Sequence, residues 1–199
     1  GMNIPLFGKN LELNAEYYYT DFQNQMIVNI DGAKGEHTLS FENLDGKSYS
    51  HTVQVDATYS LFSGMSATAA FRLNDVKSAY DGVLRQKPLT SRYKGLITLS
   101  YKTPLELWQF DMTGQLNGGG KLYDQSHYPA YFLLQAQVTR EFQHFSIYIG
   151  GENLTNYKID QPVLHAHHPW SAAFDATQVW GPVTGAMAYV GVRFKLEKL

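Results

Sequence analysis

The densest group of residues that could carry out chemistry is a run of histidines in the C-terminal part of the sequence. His165, His167 and His168 lie within four positions, with Asp160 and Asp175 nearby in the chain. Imidazole nitrogens bind zinc and copper in proteins, so this run is a candidate metal site. No second ligand element at a recognised spacing accompanies it, and the stretch is polar, so a solvated surface loop is the competing interpretation.

Three further patterns point weakly to chemistry. Ser171 beside the histidines could complete a hydrolytic triad, but nothing resembles the turn that exposes a nucleophilic serine. The run Gly-Gly-Gly-Lys at 118–121 lacks the earlier glycine and the following Ser or Thr of a phosphate loop. Asn153, Leu154 and Thr155 fit a glycosylation acceptor pattern. We therefore expect no enzyme, no catalytic residues and no cofactor.

Aromatic residues in the polar stretches form another kind of candidate. Their rings could stack on a sugar or a metal chelate, or they could pack the loops against one another. The ligand-contact candidates are Tyr123, Tyr128, Trp170 and Trp180.

The composition excludes several classes of protein. The 199 residues are 17% charged, against about a quarter in soluble domains, and 14% are aromatic. No stretch approaches the roughly twenty apolar residues of a membrane-spanning helix. Without cysteine there is no disulfide or thiolate site, and a formal charge of −2 argues against nucleic-acid binding. Gly1 before Met2 indicates a residue left by an engineered tag.

Alternation of apolar and polar residues with a period of two dominates the chain, and it is typical of strands with one apolar face. The parity slips within the first segment, as a bulge or a departure from the apolar layer would cause. We predict one all-β domain over residues 1–199, an antiparallel up-and-down meander of about eight strands. The predicted strands are 11–30, 52–61, 66–74, 97–102, 108–117, 132–139, 145–150 and 186–196.

The connections between these strands alternate between short and long. In a meander, every second connection falls at the same end, so one end carries short turns and the other long loops. Bacterial outer-membrane barrels have this asymmetry. The short connections are 62–65, 102–105 and 140–144, and the long ones are 31–47, 75–91, 118–129 and 154–185.

Alternation alone does not decide whether the apolar face points into a soluble, lipocalin-like barrel or out into lipid. The polar faces carry few Lys or Glu, which a soluble surface would need. Each apolar stripe spans about 25 Å, the height of the apolar band of a membrane barrel. Aromatic residues also gather beside the short turns, as in an interfacial girdle. The predicted girdle comprises Tyr59, Tyr101, Trp108, Phe145 and Phe194.

The C-terminal part carries a more specific pattern. Residues 150–157 read GGENLTNY, residues 174–176 read FDA, residues 179–185 read VWGPVTG, and residues 189–194 read YVGVRF. In this order they resemble the end of TonB-dependent outer-membrane receptors, and most closely those of the Bacteroidetes type. The Tyr-rich segment from Leu13 to Ile30 is similar to a long barrel strand of the same receptors.

The resemblance implies a transport receptor in the outer membrane of a Gram-negative bacterium. The implied ligand is a nutrient such as an iron chelate, cobalamin or a glycan, and the implied partners are outer-membrane lipid, a plug domain and the TonB energy-transducing protein. Such receptors have barrels of about twenty-two strands. We identify no plug and no TonB-binding motif in the sequence, so we expect a C-terminal fragment of a receptor barrel. The alternatives are a soluble lipocalin-like ligand-binding barrel and a small outer-membrane barrel with an enzymatic loop site.

Eight strands are also enough to close a small barrel whose interior side chains fill the lumen. An even count places both chain ends at the short-turn end, where the first and eighth strands would pair. If they do not pair, the open edges would drive oligomerisation. We expect the closed lumen to be filled by Gln, Tyr, Arg and Asp side chains and to conduct no ions.

Overall fold

The computed structural model describes residues 1–6, 8–30, 39–44, 46–80, 83–123, 125–171 and 174–195. These residues form strands, turns and loops, with no helix among them. Nothing in the described chain therefore qualifies as a membrane-crossing helix. The strands are β1 (Met2–Leu6), β2 (Lys9–Asp21), β3 (Met26–Ile30), β4 (Leu39–Asn43), β5 (Ser48–Phe62), β6 (Met65–Tyr80), β7 (Val83–Gln86), β8 (Tyr93–Lys102), β9 (Trp108–Asn117), β10 (Gly120–Lys121), β11 (His127–Tyr128), β12 (Tyr131–Glu141), β13 (Phe145–Glu152) and β14 (Met187–Phe194).

Nine strands lie side by side in one large sheet, in the order β1-β2-β5-β6-β8-β9-β12-β13-β14. Every neighbouring pair along this path is antiparallel. β7 pairs with the far end of β6, while β3–β4 and β10–β11 form two small separate hairpins. The predicted all-β antiparallel meander is confirmed.

The predicted first strand, residues 11–30, is two elements. β2 ends at Asp21, and the chain turns through Asn24, whose φ of 54° is left-handed. β3 then pairs with β4 outside the large sheet. The slip in parity therefore marks a departure from the apolar layer. At the other end of the chain, β14 ends at Phe194, and residue 196, the last of the predicted strand 186–196, lies outside the described residues.

β1 was not predicted, and it changes the geometry of the sheet. Its five residues include Pro5, which cannot donate to a ladder and suits an edge strand. With β1 the sheet has nine strands, so its first and last strands run in the same direction. Among the described residues β1 pairs with β2 alone and β14 with β13 alone, so the expected closure is not seen. Met2 pairs with Leu13, so the chain begins partway along the sheet and not at the short-turn end.

Short turns join the strands at one end of the sheet, which we call the turn end. The tightest is Ser63–Gly64, where Gly64 has a φ of 83° and a Cβ would lie 2.2 Å from the carbonyl oxygen of Lys102. The opposite end, the loop end, carries the three hairpins β3–β4, β6–β7 and β10–β11. The segment 153–186 between β13 and β14 also lies there. The predicted asymmetry of the connections is thus present.

Cross-strand register places the apolar stripes on one face of the large sheet, which we call the apolar face. Val55 pairs with Phe71, for example, and Ile149 with Val190. These side chains are uncovered: Val55, Ile149 and Val190 are 45%, 61% and 73% exposed. The buried hydrophobic residues of the described chain are Leu44, Ala79, Tyr128 and Ile159, and all four belong to the loop end. The apolar face therefore has no covering layer within the described chain.

The opposite face, the polar face, is tied together by hydrogen bonds between neighbouring strands. Hydroxyls of matched threonines lie 3.1 Å apart in two such pairs, and Arg72 donates to Gln54 at 2.6 and 2.9 Å. Ser100 also donates to Asp111. Polar side chains on this face thus find hydrogen-bond partners on the neighbouring strands. The face is therefore polar without carrying many charges. The threonine pairs are Thr58–Thr68 and Thr98–Thr113.

Two tyrosines on the polar face lie over glycines of the neighbouring strand. A Cβ at Gly191 would lie 2.3 Å from the Tyr148 ring, and one at Gly150 would lie 2.5 Å from the Tyr189 hydroxyl. The Tyr189 hydroxyl donates to Gln137 at 3.0 Å, which holds its ring in place. Glycine is required here because each ring occupies the space of a side chain on the adjacent strand.

We predict that Gly191→Ala lowers stability by about 1–3 kcal/mol, because the added methyl displaces the Tyr148 ring. Gly95→Ala is the matched control, since its Cβ would meet Leu116 and Phe71 at 3.6 and 3.7 Å, ordinary contact distances. Urea unfolding in lipid vesicles measures both. Equal midpoints for the two variants would show that the ring does not need the glycine.

Candidate functional site

The segment 153–186 and the β10–β11 hairpin meet at the loop end, above the start of β12. The Leu154 N–H donates to the Leu134 carbonyl at 2.8 Å, and the Thr155 hydroxyl donates to the Phe132 carbonyl at 2.9 Å. The N–H of Tyr123, in the hairpin, donates to the Gln178 side chain at 3.3 Å. Three parts of the chain that are distant in sequence thus share one site.

Four rings form a cluster in this site, which we call the loop cluster: Tyr128, Tyr131, Tyr157 and Trp180. Tyr128 stacks on Trp180 with ring centroids 5.2 Å apart. Tyr131 stacks on Tyr157 with ring centroids 5.0 Å apart and an angle of 6° between the ring planes. Tyr131 also meets Trp180 at 6.0 Å. Tyr128 is only 4% exposed. Two of the four predicted ligand-contact residues, Tyr128 and Trp180, therefore pack against each other.

Partial burial and the charge of Asp160 both act on the Tyr157 hydroxyl. Burial raises the pKa of Tyr157, and the Asp160 carboxylate adds to the increase. Both effects favour the protonated phenol. Asp160, one of the carboxylates near the histidine run, is the acidic residue that contributes here.

Residues 164–171 and 174–175 form the tip of the long segment. Leu164 and Asp175 close it with backbone hydrogen bonds of 2.8 and 3.1 Å, and the carboxylate of Asp175 accepts from the Thr177 N–H at 2.7 Å. Trp170 lies on this tip and is 98% exposed. Of the predicted ligand-contact residues, Trp170 and Tyr123 thus present free surface at the loop end.

The predicted metal ligands lie on the same tip. His165, His167 and His168 are all exposed, and the backbone N–H of His168 donates to the His165 carbonyl in a turn. Within the ranges described, no group of three or more His, Asp or Glu residues is arranged to hold a metal ion. Among the described residues, the buried hydroxyl of Ser171 has no hydrogen-bond partner.

Two asparagines fix both ends of the long segment to one another. Asn153 is 7% exposed, and its amide donates to the carbonyls of Tyr157 and Thr184 at 2.7 and 3.0 Å. Its carbonyl accepts from the Tyr157 N–H at 3.0 Å. Asn156 accepts from the Ala186 N–H at 3.0 Å. Both residues have left-handed φ values, 49° and 52°, which asparagine tolerates better than most residues. The motif at 153–156 thus joins the exit of β13 to the entry of β14.

The predicted girdle lies on the apolar face at the turn end, where Tyr101, Trp108, Phe145 and Phe194 each contact another aromatic ring. Tyr101 stacks with Phe110 at 6.3 Å, and Phe145 meets Phe194 at 6.3 Å. We call this band the turn-end belt. The predicted girdle left out three members. Phe62 and Phe142 stand at the turns, where parity no longer assigns a face, and Phe110 lies on the apolar parity of β9, between Trp108 and the rest of the stripe. The belt comprises Tyr59, Phe62, Tyr101, Trp108, Phe110, Phe142, Phe145 and Phe194.

One cation lies within the turn-end belt. The guanidinium carbon of Arg140 is 4.9 Å from the Trp108 ring centroid and 5.5 Å from that of Phe142. A cation held over aromatic faces is stabilised by the ring quadrupoles. This position, with an apolar ring surface below and a polar group at its edge, is typical of a water–lipid boundary.

Comparison with known proteins connects this architecture to one family. The model of the TonB dependent receptor-like β-barrel matches residues 1–154. Among curated proteins, none matches the chain.

Solved structures with a similar fold include three receptors. The siderophore receptor PiuA from Acinetobacter baumannii is 15% identical, with a TM-score of 0.61 over 96% of this chain and 27% of that protein. The ferric enterobactin receptor PfeA from Pseudomonas aeruginosa is 12% identical, with a TM-score of 0.63 over 96% of this chain and 29% of that protein. The ferric-catecholate import receptor Fiu from E. coli is 12% identical, with a TM-score of 0.58 over 96% and 26%. The chain spans less than a third of the length of each, and at these identities the likeness shows the fold.

We predict that Asn153→Ala lowers stability by about 1–3 kcal/mol, because it removes the hydrogen bonds that the buried Asn153 side chain makes with the backbone of Tyr157 and Thr184. Asn153→Gly should also be destabilising although it permits the left-handed backbone, which separates the hydrogen bonds from the φ requirement. The exposed Asn43→Ala is the control. Proteolytic nicking within residues 153–186 should be faster in both Asn153 variants, and unchanged nicking would contradict the anchoring role.

Proposed function

The chain belongs to the family of TonB-dependent receptor β-barrels, and from this membership we propose that it forms part of the wall of an outer-membrane transport receptor. The observation that carries the proposal is the uncovered apolar face opposite a hydrogen-bonded polar face. Lipid would cover the apolar face, and the polar face would line the lumen that surrounds a plug domain. The family consists of transport receptors and not of enzymes.

The direction of the edge strands supports a barrel larger than this sheet. β2 runs from the turn end to the loop end, so β1 runs the other way, as β14 does. Each edge therefore needs a neighbour that runs from the turn end to the loop end. Only an odd number of further strands satisfies both edges of an all-antiparallel barrel. Every barrel with an even number of strands meets this condition. A barrel of about twenty-two strands, for example, would need about thirteen beyond the nine described here.

The same directions argue against a ring of identical copies. In a symmetric ring, β14 of one copy would lie against β1 of the next, and those two strands would be parallel. Membrane barrels of this class are antiparallel throughout. The partners of the two edges are therefore different strands, and oligomerisation through the edges is not part of the proposal.

The ligand of the proposed receptor would bind at the loop end. Trp170 and Tyr123 offer exposed rings there, and the loop cluster holds the segment that carries Trp170. Structures of similar fold include receptors for siderophores and ferric catecholates, which supports an iron chelate as the ligand class. Planar catecholates and tryptophan rings can stack. The proposed partners are outer-membrane lipid, the plug and the TonB protein.

We predict that cells producing the polypeptide that contains this sequence take up iron-55 supplied as ferric enterobactin or as a ferric hydroxamate. Trp170→Ala combined with Tyr123→Ala should raise the chelate concentration for half-maximal uptake about tenfold, because two stacking contacts of roughly 0.7 kcal/mol each are lost. Val183→Ala, at an exposed apolar position of the same segment, should have no effect. Uptake of neither chelate, or unchanged uptake in the double variant, would contradict the proposal.

A further inference from the structure

A second aromatic patch lies on the apolar face at the loop end, at the opposite end of the strands from the turn-end belt. Register places Tyr19 beside His51 and His51 beside Asp75, and the next row holds Tyr49 beside Lys77. We call these five residues the rim patch. The row directly below is Tyr17, Val53 and Leu73, where the apolar stripe begins. The face thus changes abruptly from apolar to polar and aromatic.

His51 is the centre of the rim patch. Its ring lies 4.9 Å from that of Tyr19 and 5.2 Å from that of Tyr49. Its Nδ1 is 2.8 Å from the Tyr17 hydroxyl, a hydrogen bond that fixes the imidazole. Three phenol rings around one imidazole present several ring faces and edges on an exposed surface.

An open cavity of about 830 Å³ lies against these rings. Asp21 and Lys47 complete its lining, together with Tyr17, Tyr19, Tyr49 and His51. Nearby, the Lys77 ammonium lies 3.1 Å from the Asp75 carboxylate. The patch and cavity therefore carry two lysines and two aspartates, so donors and acceptors are balanced and no net charge selects an anion.

The height of the rim patch corresponds to a membrane interface. His51 is eight residues from Tyr59 of the turn-end belt along β5. Eight residues rise about 27 Å along a strand, or about 20 Å along the membrane normal at the usual tilt. This is close to the roughly 25 Å apolar band of membrane barrels. If the turn-end belt lies at one interface, the rim patch lies at the other.

We propose that the rim patch binds the saccharide head group of a membrane glycolipid whose acyl chains lie along the apolar stripe below it. The proposal rests on the proposed function, since it requires lipid on the apolar face. Ring faces of Tyr19 and His51 stack on the C–H surfaces of a sugar, while Asp21 and Lys47 bind its hydroxyls. Balanced donors and acceptors match neutral hydroxyls better than phosphate.

The simplest alternative is that these rings form an unselective aromatic belt and bind no particular lipid. A belt requires amphipathic rings at the interface but no cavity and no pairs of charged residues beside it. The two roles differ in a measurable way, because a belt holds all lipids alike whereas a saccharide site prefers lipids with sugar head groups.

The test uses the full chain in lipid nanodiscs containing equal amounts of a diglucosyl diacylglycerol and a phosphatidylcholine, with retained lipid counted by native mass spectrometry. We expect the unaltered chain to retain the glucolipid preferentially. Tyr19→Ala with His51→Ala should weaken that retention about tenfold, since two ring contacts are lost. Asp21→Asn should weaken it with all rings intact. Tyr101→Ala with Phe110→Ala in the turn-end belt is the matched control.

Equal retention of both lipids by the unaltered chain would show an unselective belt and overturn the inference. Unchanged glucolipid retention in the Tyr19 and His51 variant and in Asp21→Asn would also overturn it. Both outcomes leave the proposed function standing, because the chain is in the bilayer. Failure of the unaltered chain to enter the bilayer would remove the proposed function and this inference together.

Discussion

The whole structure depends on one physical constraint: an apolar sheet face over which no part of the described chain folds. Removal of apolar surface from water is the main favourable term in folding, yet the described chain has almost no buried hydrophobic core. The sheet therefore needs an apolar surrounding outside itself. A bilayer would provide that surrounding, and it would also require backbone groups to be paired within the sheet, as they are in the antiparallel ladders.

The other features follow from that constraint. Side chains on the polar face bond to their neighbours across strands, so this face can enclose a hydrated interior without a dense charge. Aromatic residues concentrate at both ends of the apolar face, in the turn-end belt and the rim patch, as they do at the two interfaces of membrane barrels. Along the described path of the large sheet, the outer edges of β1 and β14 have no neighbouring strand, and their common direction determines which strands can cover them.

Alternation predicted most of the large sheet because period two reports directly which face a residue occupies. It could not find β1, where Pro5 and five residues leave too short a pattern. The departure of β3 from the sheet was indicated only by the slip in parity. The loop end was less predictable: Tyr128 and Trp180 are fifty-two positions apart, and their stacking depends on the folded loops. The family resemblance points to the four residues at 153–156, but only their hydrogen bonds in the folded chain show that they anchor the long segment. His51 was missed because register alone brings Tyr17 and Tyr19 to it.

The most direct test of the account is to determine which face of the sheet meets lipid. Ala69 and Ala70 are adjacent in β6 and lie on the apolar and polar faces, and the chain contains no cysteine, so each can be replaced singly by Cys and spin-labelled. In lipid vesicles, we expect the label at position 69 to collide with oxygen and to be shielded from a water-soluble nickel complex. The label at position 70 should show the opposite preference. Equal accessibility at both positions, or the reverse pattern, would contradict a lipid-facing apolar surface.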